Sequence, residues 1–261
     1  MPKFAANLTM MFQEVPFMQR FAAAAKAGFK AVEYMFPYDY PAKDIKEQLT
    51  ANKLEQVLFN LPPGDWAAGD RGIAGDPRRV AEFRDGVAKA ISYAKELGVP
   101  RLNCMAGKTL ADIPEAEQRA TMVANLRYAA DALAKAGIKL VVEPINYRDM
   151  PGFAINTSSQ GFALLDEVNH PNIYLQYDIY HAQRMEGEIV NTLEKNIARI
   201  EHIQLADLPG RHEPGTGEIN YAFVFKAIDR IGYKGWIGCE YIPANGTVEG
   251  LGWIAAFGYK L

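Results

Sequence analysis

Short apolar runs alternate with longer segments of helical period along the whole chain. The runs are FAANLTM, AVEYM, LEQVLFN, RLNCMAG, KLVVEPIN, IYLQYDIYH, IEHIQLAD and WIGCEY. Between them, apolar residues recur at the spacing that gives a helix one apolar face over residues 16–27, 42–52, 77–97, 114–136, 159–168, 189–196 and 221–231. A last amphipathic stretch, GLGWIAAF, follows the eighth run. Eight strand-like runs separated by helices predict a βα repeat.

Gly28, Gly98, Gly137 and Gly232 each follow a helical run and precede a strand-like one, where a left-handed residue ends a helix at low cost. The repeat fits either a closed barrel or an open doubly wound sheet. No GxGxxG follows the first run, which weakens the dinucleotide-binding open sheet. A single (β/α)8 barrel domain over residues 1–261 is therefore expected. The segments after the third and seventh runs, 61–76 and 209–220, are longer than the helix-to-strand connections, an asymmetry that marks the catalytic face of such a barrel. The first of these carries four glycines and Trp66 and is expected either to act as a mobile lid or to pack as an ordered loop at a subunit contact.

Four oxygen-bearing residues end four successive runs: Glu143 in VVEP, Asp178 in LQYD, Gln204 in HIQL and Glu240 in GCEY. They lie 35, 26 and 36 residues apart, each about the length of a βα unit, so barrel closure would gather all four around one mouth. Alone, each reads as an ordinary solvated strand-end group. Together, three carboxylates in a partly dry mouth would repel one another unless a cation neutralised them. Oxygen ligands without thiolate or imidazole favour Mg²⁺ or Mn²⁺ over zinc or copper.

His181, three residues past Asp178, could meet a substrate oxygen, or be a solvated loop histidine. Arg211, His212 and Lys108 are the basic groups best situated for a substrate carboxylate, although each also reads as plain surface charge. Strand alternation turns Gln176 and His202 into the barrel one layer below, where they would support the ligands by hydrogen bonds. Glu33 could line the same mouth or form a salt bridge within the barrel.

Composition changes this picture little but excludes much. With 261 residues, 49% hydrophobic and 23% charged, the chain can bury one large core. A net charge of −3 provides no field for nucleic acid or an anionic membrane. Cys104 and Cys239, the two cysteines, sit in strand-like runs and suit buried free thiols in a reducing compartment. The start, MPKFAANLTMMF, has no signal-peptide pattern, and no apolar run approaches the length of a membrane span. A cytoplasmic protein is expected, and its sequence is compatible with a homo-oligomer.

The opening FAANLTMMFQEVPFMQRFAAAAKAGFKAVE, with LQYDIYH, IQLADLPGRHEPGTGEINY and GWIGCEY, resembles the hydroxypyruvate isomerase family of xylose isomerase-like barrels. The likeness runs through essentially the whole chain. It implies a metal site at Glu143, Asp178, Gln204 and Glu240, with Glu143 and Glu240 also the acid/base pair. Related ketose epimerases resemble this pattern with a histidine where Gln204 stands. The resemblance further implies isomerisation of a small hydroxy-oxo acid, either hydroxypyruvate to tartronate semialdehyde or a four-carbon 2-oxo-tetronate to its 3-oxo isomer. Proton transfer through an enediolate is the expected route, with a hydride shift as its rival. A ketose 3-epimerase, an endonuclease IV-like phosphodiesterase and a non-catalytic binding barrel are the alternatives. The phosphodiesterase would need a histidine-rich zinc site, and the chain has four histidines in all.

Overall fold

The structure is a computed structural model that describes residues 1–261. Its strands are β1 (Lys3–Asn7), β2 (Ala31–Glu33), β3 (Glu55–Asn60), β4 (Arg101–Cys104), β5 (Lys139–Val142), β6 (Ile173–Asp178), β7 (Ile200–Leu205) and β8 (Trp236–Cys239). They follow one another in chain order around a closed barrel, the closed alternative of the two topologies that the βα pattern allows. The helices between them are α1 (Phe17–Lys26), α2 (Ala42–Asn52), α3 (Val80–Leu97), α4 (Glu115–Lys135), α5 (Ser158–Val168), α6 (Ile179–Met185), α7 (Ile189–Asn196) and α8 (Tyr221–Ile231). Two short helices, α9 (Thr247–Gly250) and α10 (Gly252–Ala256), form the last amphipathic stretch. No helix is long and apolar enough to cross a membrane, and both cysteines are buried free thiols.

Two boundaries differ from the pattern in the sequence. The helix expected over 77–97 starts as a 3-10 turn at Pro77–Arg79, where the Asp76 side chain accepts from the Arg78 amide. The run IYLQYDIYH is divided: its strand ends on Asp178, whose Oδ1 accepts from the Tyr180 amide at 2.8 Å and so caps α6. The four glycines expected at helix ends all have positive φ, whereas α2 and α5 end on Lys53 and Asn169 in the same left-handed region.

Residues 1–57 and 177–261 form one compact unit. Here β7, β8, β1 and β2 are successive neighbours, with Asn7 level with Glu33 and Gln204 level with Gly238. Alternation sends Phe4 outward, where its ring meets Trp253 at 4.9 Å and Phe225 at 5.4 Å between centroids. Burying each such ring contributes roughly 1.5–3 kcal/mol. Asn7, on the opposite face of the same strand, turns inward to polar partners.

Residues 58–176 form the second unit. Asn103 on β4 aligns with Asn60 on β3 and Val141 on β5. The segment 61–76, expected to be a lid or an ordered loop, makes contacts within this unit. Gly72 lies so close to the chain after β4 that a Cβ would stand 2.2 Å from the Met105 carbonyl oxygen. The Arg71 guanidinium lies 3.8 Å over the Trp66 ring, and Asp70 accepts from Arg79 at 2.6 Å.

The loop after β7 is built on one buried carboxylate. Asp207 Oδ1 accepts from the amides of Leu208 and Ile219 at 2.9 and 3.1 Å, and Oδ2 from those of Gly215 and Gly217 at 2.8 and 3.0 Å. Its own amide donates to the His212 carbonyl at 2.8 Å. Gly217 has no room for a side chain, since a Cβ would lie 2.0 Å from the Leu208 carbonyl oxygen. Asp207→Ala leaves four amides without this acceptor and should lower unfolding free energy by roughly 2–4 kcal/mol. Urea unfolding reads that loss, and amide exchange should quicken at Gly215, Gly217 and Ile219. An unchanged midpoint with unchanged exchange would remove Asp207 from the loop's support.

Candidate active site

Asp178 ends β6 with its two oxygens in different roles. Oδ1 caps α6, while Oδ2 is buried and accepts no hydrogen bond. Because α6 starts at once, His181 falls in its first turn, with Nε2 3.5 Å from Asp178 Oδ2. Burial, followed by the charges of Arg211 and Arg184, holds His181 well below the usual imidazole range. It is therefore a neutral ring at neutral pH, able to ligate or to hydrogen-bond.

Glu240 follows β8 and is almost fully buried. Its Oε1 accepts from Asn7 Nδ2 at 3.2 Å, and its Oε2 from Arg211 Nη2 at 2.7 Å. The same guanidinium nitrogen is 3.6 Å from Asp178 Oδ2. Arg211 reaches this position from a left-handed backbone, φ 55°, in the loop held by Asp207, and its ring neighbour is Tyr180 at 5.0 Å. Burial pushes Glu240 up to about 8, against the pull of Arg211 and with the repulsion of Asp178 and Glu33. Burial also raises Asp178, while Arg211 and the α6 amides oppose it.

Gln204 lies one residue before the end of β7, and its Nε2 donates to Glu33 Oε1 at 2.7 Å. Glu33 is wholly buried and also accepts from Asn7 Nδ2 at 3.0 Å, and it contacts His202 Nε2 at 2.6 Å. Of the two accounts open for Glu33, the pairing within the barrel is the one found. His202 is its partner and supports the layer above, as alternation implies.

In the other unit, Glu143 follows β5, is buried, and its Oε2 accepts from Asn103 Nδ2 at 3.4 Å. Lys108 is exposed in the segment after β4, where its backbone bridges to Phe153. His212 Nδ1 meets the Ile242 carbonyl at 2.7 Å, and Arg211 is engaged with Glu240. Two of the side chains expected to greet a substrate, Arg211 and His212, thus also brace the site's own wall. Asn7 and Tyr180 are site residues that pattern reading missed. Asn7 carries the same signal as the four strand-end residues, a polar group closing an apolar run.

One ligand atom each of Asp178, His181 and Glu240 lies within 4.8 Å of the others. With Glu33 beneath them, these groups bring more negative charge than Arg211 can offset, an arrangement that a cation would relieve. The bare Asp178 oxygen and a donor set of carboxylates with a neutral imidazole fit a divalent cation. Asp178, His181 and Glu240 thus form a buried group that could hold a metal ion.

The chain is 53% identical over 254 residues to hydroxypyruvate isomerase of Escherichia coli strain K12, covering 97% of this chain and 98% of that one. It is 49% identical over 257 residues to 2-oxo-tetronate isomerase of Cupriavidus necator strain H16, covering 98% and 99%. A crystal structure described as an AP endonuclease, family 2, from Brucella melitensis superposes with a TM-score of 0.96 at 47% identity, covering 100% of both chains. These curated relatives are isomerases. The xylose isomerase-like TIM barrel profile matches residues 21–257, and with these identities along its length the chain belongs to that family.

Proposed function

We propose that the protein, one barrel domain over residues 1–261, is a metal-dependent isomerase of small hydroxy-oxo acids. Its substrate would be hydroxypyruvate or a four-carbon 2-oxo-tetronate. The observation that carries the reading is the buried group of Asp178, His181 and Glu240, with one Asp178 oxygen bare, at the C-terminal ends of the barrel strands. The names of the relatives at 53% and 49% identity support the substrate class.

In this reading Glu143, Asp178, Gln204 and Glu240 hold Mg²⁺ or Mn²⁺. A bound divalent cation supplies charge that polarises the substrate carbonyl and offsets the negative charge developing on its oxygens. The rest of the work falls to side chains. Glu143 and Glu240 belong to strands three apart in the barrel order, so they can address opposite faces of a small substrate. One removes the proton from the hydroxyl-bearing carbon and the other returns a proton to the former carbonyl carbon, while the hydroxyl proton passes to the former carbonyl oxygen, so that the two oxygens exchange roles. His181 meets a substrate oxygen, and Arg211, His212 and Lys108 attract its carboxylate.

The name of the Brucella protein raises a phosphodiesterase as a second reading. The histidines weigh against it. His202 sits on Glu33, His212 on a carbonyl and His170 near Asp131, so His181 alone joins the carboxylates. A multi-histidine zinc site cannot be assembled from them.

Three- and four-carbon hydroxy-oxo acids, a neutral ketohexose and an abasic-site duplex, each incubated with Mn²⁺ protein in deuterated water, test the reading by NMR and gel. Isomerisation of the acids is expected, with deuterium entering the new C–H position. Turnover of the ketohexose alone, or cleavage of the duplex, would replace the proposal. Glu143→Gln and Glu240→Gln should each keep much of the metal affinity yet lose on the order of 10²–10⁴ in turnover, the usual worth of a positioned acid or base. Asp178→Asn should weaken metal binding first, with excess Mn²⁺ restoring part of the activity. Near-wild-type turnover at saturating metal in either glutamine variant would remove that glutamate from the chemistry.

The metal-free protein should also respond to pH in a defined direction. Burial raises Glu240 from the ordinary glutamate value of about 4.5 to about 8 on folding, so between those values the folded state binds more protons than the unfolded. Its contribution is complete below pH 4.5 and is lost as pH rises through 8. Melting temperature without metal should therefore fall from pH 5 to pH 8, and Glu240→Gln should flatten the fall. Added Mn²⁺, which needs ionised carboxylates, should stabilise most at the upper end. A metal-free melting temperature that climbs over this range, with Glu240→Gln unchanged, would refute the assignment.

A further inference from the structure

We propose that Glu33 is a positioning residue for the metal site: its buried carboxylate dictates which end of the Gln204 amide is turned toward the cation. The inference rests on the ligand set proposed above.

A glutamine ligand is ambiguous in a way that a carboxylate is not. Its amide has an oxygen end that can ligate a hard cation and an NH₂ end that cannot, and the two ends are nearly equal in size. Rotation by half a turn would exchange them. Something must make one orientation much the better.

Glu33 supplies that discrimination. Gln204 Nε2 donates to Glu33 Oε1 at 2.7 Å, so the end of the amide that faces Glu33 is the NH₂. With that end committed to the layer below, the carbonyl is the other arm of the amide. Flipping it would set oxygen against oxygen in a site with no solvent exposure at Glu33 and 1% at Gln204.

The carboxylate is itself unable to turn aside. His202 Nε2 holds its Oε2 at 2.6 Å, while Asn7 and Gln204 share its Oε1. Gly238 provides the room, because a Cβ there would stand 2.2 Å from Oε1. Asn7 extends the effect to a second ligand. Its Oδ1 accepts from the Thr9 amide at 3.0 Å, which fixes the orientation of its own amide. Its Nδ2 donates to both Glu33 and Glu240, at 3.0 and 3.2 Å. One carboxylate thus orients Gln204 directly and steadies Glu240 through Asn7.

A purely structural role would not need the charge. A glutamine at position 33 could satisfy the same neighbours at lower desolvation cost. What it would lose is the preference, since its amide can offer either a donor or an acceptor to Gln204.

The test is Mn²⁺ binding to metal-stripped protein by titration calorimetry, with thermal melting of the same samples. Glu33→Gln is expected to weaken Mn²⁺ binding about 10- to 100-fold, the usual effect of losing a group that orients a ligand, with the metal-free melting temperature held or raised. Wild-type affinity in Glu33→Gln overturns the proposal, and so does a lowered melting temperature with unchanged affinity, which marks a structural role. Should Glu33→Gln fail to fold, Glu33→Asp keeps the charge and withdraws it by one methylene. It should lose affinity to a smaller degree, and unchanged affinity there is equally fatal. Wild-type protein that binds no Mn²⁺ overturns this inference and the metal reading together. Wild-type protein that binds Mn²⁺ yet isomerises none of the acids sinks the activity alone.

Discussion

A carboxylate taken out of water is tolerable only where donors replace the water it gave up. Glu33, on β2, imposes that condition on three other strands. Asn7 from β1, His202 and Gln204 from β7 all point at it, and β8 makes way with a glycine at position 238. The register that sets Asn7 beside Glu33 and Gln204 beside Gly238 is what lets these groups meet. A slip of one residue would turn the inward set outward, leaving a buried charge unmatched. Stability and site geometry are thereby bound to one register.

Above this layer the balance is different. Glu240 and Asp178 share one guanidinium, and Arg211 can reach both because its loop is braced at two ends. Asp207 grips the amides within the loop, and the Arg211 carbonyl accepts from the Ile242 amide at 2.8 Å beyond β8. Asp178 divides its duties by oxygen, one committed to the start of α6 and the other left bare. The helix cap prevents that carboxylate from turning both oxygens toward its neighbours.

Much of this was legible in the residues. Glu143, Asp178, Gln204 and Glu240 announce themselves because strand ends recur with the βα period, and His202 follows from alternation within β7. The barrel follows from the same repeat. What escaped is carried by Asn7 and by groups that leave no periodic trace. Asn7 closes the first apolar run as the other four close theirs, but its partners, Glu33 and Glu240, lie far along the chain. Asp207 works through backbone amides, so no side-chain pattern accompanies it. Arg211 and His212 read as solvent-facing basic residues because nothing in RHEPGTGEINY reveals that the loop folds back on the segment after β8.

The support of that loop sets unequal limits on its variation. Four of the contacts that hold it are amide to carboxylate, and an amide is the same whichever side chain it bears. The side chains on those amides can therefore vary only where they hold no contact of their own, whereas an added or deleted residue between 208 and 219 would carry the donors past Asp207. The loop is thus intolerant of a change in length, which holds constant the position from which Arg211 reaches Glu240 and Asp178.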